Sequence, residues 1–160
     1  MELFLAQNHS AMTHLPIASA LMVAVGALVA LFVARKELSL LCAILSLAAL
    51  LTVIPTIATG IAAAKGRFND DGKSYIQSGV MVSNIPANTR IFRHQVFGIA
   101  GTIVAVLLTI LTIAKARGRN PNKYLIALLA VLLAVCWGIG GHLGGEELWG
   151  PETFPGFHQS

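Results

Sequence analysis

Four long apolar runs, at 14–34, 38–64, 91–114 and 124–143, constrain what this chain can fold into more than any other feature. Each covers the roughly 30 Å of a bilayer's hydrocarbon core at about 1.5 Å per residue. A lone strand in lipid would leave its backbone N–H and C=O groups unpaired, so each run has to be a helix. Hydrophobic residues make up 56% of the sequence and charged residues only 11%, against about 25% charged in a soluble domain. The expected solvent is lipid. The runs take up most of the 160 residues, so residues 1–160 read as a single transmembrane domain with a connecting loop at 65–90 and a C-terminal tail at 144–160.

A net charge of +4 could mean nucleic acid in a soluble protein, but here the cations sit at run ends and in loops, where membrane orientation accounts for them. Arg35, Lys36, Lys115, Arg117, Arg119 and Lys123 fall in the two short connections, while the tail is acidic at Glu146, Glu147 and Glu152. The positive-inside rule then puts the short connections in the cytoplasm and both termini outside. Lys65, Arg67, Lys73, Arg90 and Arg93, in and beside the middle loop, run against this count. The expected fold is an all-α integral membrane four-helix bundle, up-down-up-down, N-out and C-out, crossing a bacterial cytoplasmic (inner) membrane.

Smaller signals complete this reading. Cys42 and Cys136 lie in apolar stretches without CxxC spacing and read as buried free thiols. The N-terminal segment has neither a basic n-region nor a small-residue cleavage site, so the first run is expected to be a retained signal anchor. In the middle loop, Asp70-Asp71-Gly72 signals a turn and Ser83 to Pro86 a helix start. Trp149, Phe154 and Phe157 suit a tail that lies at the interface or docks a partner.

The histidines carry the chemical information. His14 stands about 20 residues above Arg35, His94 about 21 above Lys115 and His142 about 19 above Lys123, which is roughly 30 Å in each case. Three helices therefore present imidazole at one level, with His9 slightly further out. A single membrane-edge histidine is most simply an interfacial polar residue. Three at one height are harder to explain that way, because ionisable groups within spans are costly and tend to be functional.

Small residues lie near them: Gly98 and Gly101 on the face of His94, Gly138 and Gly145 on that of His142, and Thr59 and Gly60 at the same level of the second run. Glycines of this kind let helices approach closely, and they also leave room beside an imidazole for a flat macrocycle. Several imidazoles with few carboxylates suit a bis-histidine b-type haem in a bundle core, with Arg90 and Arg93 as cations for its propionates. A histidine-only copper or zinc site matches the ligands but leaves the glycines unexplained. Hydrolytic chemistry is disfavoured, since there is no nucleophile elbow, HExxH or phosphate loop.

The opening His9-Ser10-Ala11-Met12-Thr13-His14-Leu15-Pro16-Ile17 resembles the HPxxxHFPI opening of domain-of-unknown-function family 2231. Gly141-His142-Leu143-Gly144-Gly145 is similar to that family's GHxGG-type ending, and Thr59-Gly60 and His94 extend the likeness over most of the chain. Ser10 and Leu15 depart from the pattern, which usually has Pro and Phe there. The resemblance implies a four-helix membrane domain associated with respiratory modules, in which His9, His14, His94 and His142 are the metal-ligand candidates.

The resulting expectation is an electron-transfer subunit with one haem b, or two, near the outer surface. His14 and His94 are the favoured axial pair, because the first and third helices of such a bundle are often diagonal. Quinone and a periplasmic cytochrome or oxidoreductase subunit are the expected partners. The competing expectation is a cofactor-free structural or assembly subunit that anchors a larger respiratory complex.

Overall fold

A computed structural model describes residues 8–67 and 90–149. Among these residues the regular structure is four α-helices: α1 His9–Val29, α2 Lys36–Arg67, α3 Arg90–Ala116 and α4 Lys123–Trp149. Each is long and apolar enough to cross a membrane, over Ala11–Val29, Lys36–Ile61, Phe92–Ala116 and Lys123–Gly144 respectively. The expected turn at Asp70-Asp71-Gly72, the expected helix start at Ser83 to Pro86, and Phe154 and Phe157 lie outside the described residues.

The first helix differs most from expectation, starting at His9 and ending at Val29 rather than covering 14–34. Pro16 sits inside it and lacks an N–H, which leaves the Met12 carbonyl without its helical donor. Thr56 of α2 reaches it, its hydroxyl standing 3.0 Å from the Met12 oxygen and 2.8 Å from the Thr52 carbonyl of its own helix, with one proton shared between the two. The helix therefore runs through Pro16, and the repair ties α1 to α2. At the other end the chain leaves α1 at Ala30 and re-enters helix at Lys36, so Lys36 belongs to the first turn of α2 rather than to the short connection.

The second short connection has a clear local cause. Gly118 takes φ 83, and the N–H groups of Gly118 and Arg119 return to the carbonyls of Lys115 and Ala114, a Schellman closure of α3. Asn122 then caps α4, its Oδ1 accepting from the backbone N–H groups of Tyr124 at 2.9 Å and Leu125 at 3.3 Å.

The helices form a ring in which α1 packs on α2 and α4, α3 packs on the same two, and α1 lies across from α3. Small residues line the interior, Ala20 and Ala27 on α1, Ala49 on α2, Ala105 on α3 and Ala130 on α4, with Leu108, Leu133 and Trp137 filling between them. Such residues let helices approach where lipid gives no hydrophobic drive between them. The outward faces carry large apolar side chains such as Ile54, Ile110 and Leu128. Near the short connections, the buried Ser46 and Thr112 hydroxyls pair at 2.7 Å, and Thr109 donates to the Ser46 carbonyl oxygen at 3.1 Å.

Candidate functional site: a histidine pair on diagonal helices

His9 opens α1 and is buried, 6% exposed. Its Nδ1 lies 3.1 Å from the Thr59 hydroxyl on α2. That hydroxyl also lies 2.9 Å from the Pro55 carbonyl and 3.0 Å from that of Thr56; with its proton on either carbonyl, its oxygen accepts from the imidazole Nδ1–H. The ring rests on Gly60, where a Cβ would come within 2.9 Å of the imidazole Cε1.

His94, in the second turn of α3, is partly buried and repeats the arrangement against α4. Its Nδ1 lies 2.7 Å from the Gly140 carbonyl oxygen, which can only accept, so Nδ1 carries the proton. The ring rests on Gly144, where a Cβ would meet the Cε1 at 2.8 Å. Each imidazole is thus engaged through Nδ1 by a neighbouring helix, and for His94 the carbonyl acceptor fixes the Nδ1–H tautomer with the Nε2 lone pair left for a ligand, the way metal-binding histidines are usually oriented. Burial first, and then the nearby His94, hold the His9 imidazole below its ordinary range. Beside His94, the Gln95 Oε1 is buried and meets no donor.

The other predicted residues divide around this pair. His14 is exposed, because five residues at about 100° each turn it to the opposite side of α1 from His9. The favoured partner of His94 is therefore on the outer surface, and His9 faces inward in its place. His142 is exposed too and does have an interaction partner; it is two residues from both Gly140 and Gly144, which face His94. Arg93 is exposed, Arg90 is the first residue of α3, and Gly145 lies in the last turns of α4.

The expected glycine space is only partly open. The Trp137 indole of α4 fills the position beside Gly101, whereas a Cβ on Gly98 or Gly138 would meet nothing within 4 Å. The open position on the His94 side is therefore Gly98. Among the described residues no three His, Cys, Asp or Glu side chains converge as a metal centre. For haem, the donor set fits: two imidazoles from diagonal helices, each pinned through Nδ1.

Sequence reasoning missed Thr59 as a hydrogen-bond partner, had Gly144 only as part of the closing motif, and missed Gly140 and Gln95 altogether. The two glycines could have been found as a small-residue pair at i and i+4 on α4. The chain matches no protein-family model, no curated protein and no solved structure.

Proposed function

We propose that this protein is a membrane electron-transfer subunit that binds a b-type haem between His9 and His94 near the extracytoplasmic end of the bundle. The observation that carries this reading is the pair of imidazoles on diagonal helices, each tied through Nδ1 to a neighbouring helix. When bound, the haem would supply one-electron redox chemistry at a potential set by axial ligands and burial. The chain's own residues would hold and tune it. Thr59 and Gly140 would hold the rings, Arg90 and Arg93 would supply cations for propionates, and the burial of His9 would limit water.

The topology that goes with this reading is up-down-up-down, N-out and C-out, in a bacterial cytoplasmic membrane. Contacts between the start of α1 and the end of α2, and between the start of α3 and the end of α4, support it, as do the short basic connections. A haem at one end cannot carry electrons across the whole bilayer, so quinone and a periplasmic cytochrome or oxidoreductase subunit are the proposed partners. The outward His14 and His142 are on adjacent helices and suit such contacts. A likeness to family 2231 points the same way and rests on the short motifs alone.

A second reading, the cofactor-free anchor or assembly subunit, is favoured by the indole against Gly101 and by Ile17 packed on Gly141, which close interior space. A dithionite-reduced minus air-oxidised visible spectrum of detergent-purified protein from haem-supplied cells separates the two. A sharp b-type α band supports electron transfer; its absence leaves the anchor subunit.

A further inference from the structure

A different feature occupies the opposite end of the bundle. A cavity of about 10 Å³ opens there among Ser39 and Cys42 of α2, Thr112 and Lys115 of α3, and Lys123 of α4. No carboxylate lines it, and Glu37 is the one acidic residue in the two short connections and adjoining helix ends. Lys123 is exposed, but its Nζ donates to the Leu31 carbonyl oxygen at 2.8 Å and stands 5.3 Å from the Tyr124 ring centroid, which ties the ammonium to the rim with two further N–H donors unused by that bond. Lys115 is partly buried in the same wall. Two ammonium groups from different helices thus converge on one opening. Arg35, Lys36, Arg117 and Arg119, in the adjoining connections and helix ends, are exposed and carry the same charge.

We infer that this cavity is a binding site for a phosphate group, with Lys115 and Lys123 as its ligands. The space holds about one oxygen atom, so a whole anion does not enter. One non-bridging phosphate oxygen fits while the rest of the group stays at the membrane surface, as the headgroup of an anionic phospholipid would. A free phosphate ion presents the same oxygens. Orientation by the positive-inside rule alone asks only that cations be on this side. It does not require two of them to share a rim with one fixed by a carbonyl.

The test is native mass spectrometry of the full chain in detergent with phosphatidylglycerol or phosphatidylcholine added, counting lipids retained per protein. Wild-type protein is expected to retain phosphatidylglycerol selectively. Lys115→Gln and Lys123→Gln should each lower that retention about fivefold, equivalent to about 1 kcal/mol per cation. Arg119→Gln, outside the cavity but in the same field, should stay near the wild-type value. Adding millimolar inorganic phosphate distinguishes the sources: retention that survives assigns the site to lipid, and displacement with phosphate itself bound assigns it to the free ion, the same two lysines being required. Equal retention of both lipids with no bound phosphate overturns the site. So does an equal loss in Arg119→Gln. The headgroup comparison needs no variant, and helical content by circular dichroism identifies any variant that has failed to fold.

Discussion

The Nδ1–H of His94 on α3 donates to the carbonyl oxygen of Gly140 on α4 at 2.7 Å, which fixes both the tautomer and the orientation of the ring. With His9 held in the same way by Thr59, these two imidazoles, and not those of His14 and His142, are the expected haem ligands. His9→Ala and His94→Ala should each abolish the b-type α band in the reduced-minus-oxidised spectrum, while His14→Ala and His142→Ala should retain it. A band lost in His14→Ala and kept in His9→Ala would reverse the assignment.

The glycines give an independent check, because each faces a different neighbour. Gly98→Ala meets nothing within 4 Å and should stabilise the helix by about 0.5–1 kcal/mol. Gly101→Ala pushes a methyl group into the Trp137 indole and should cost about 1–3 kcal/mol. Gly144→Ala displaces the His94 ring, whose hydrogen bond is worth about 0.5–1.5 kcal/mol, so any gain in helix propensity is offset. Thermal midpoints in detergent should rank Gly98→Ala above wild type and Gly101→Ala below it. Haem content should fall in Gly144→Ala.

Four helices long and apolar enough to cross a membrane were legible in the sequence, because hydropathy and rise per residue set them. Rotation about each helix axis was not. In water a polar stripe marks the outward face, whereas these helices are apolar on all sides, so no such stripe tells lipid from interior. A signal did exist in the small residues. Ala27 lies eighteen residues from His9, about five full turns, and Ala20 eleven residues, about three. His9 therefore continues the buried alanine stripe of α1, and His14 leaves it. Trp137 against Gly101 was beyond reach, since it depends on the register between two helices.

The pair of hydroxyls at the other end should contribute modestly. Ser46 and Thr112 pair at 2.7 Å, but Thr112 also bonds its own helix at the Leu108 carbonyl, 2.9 Å, so losing one partner leaves the other satisfied. Thr109 still reaches the Ser46 backbone oxygen after Ser46→Ala, and the α2–α3 contact survives. A double-mutant cycle of Ser46→Ala with Thr112→Val should give a coupling of about 0.6 kcal/mol and no more than about 1.7. A larger value would mean that the pair holds the two helices together.

Acid should weaken the haem-free protein through His9. Burial, and then the charge of His94, hold its pKa below the ordinary 6.5, outweighing a backbone hydrogen bond at Thr56 that acts the other way. As pH falls, the unfolded chain takes up this proton before the folded one does, so unfolding is favoured by proton binding. His9 contributes no penalty well above 6.5. Stability should decline as pH drops from there to the lowered folded value and level off below it. Thermal midpoints of the apoprotein across that window should fall on acidification, and His9→Gln should flatten the slope. An unchanged slope in His9→Gln would place the titrating group elsewhere and remove the case that His9 stays neutral at the site.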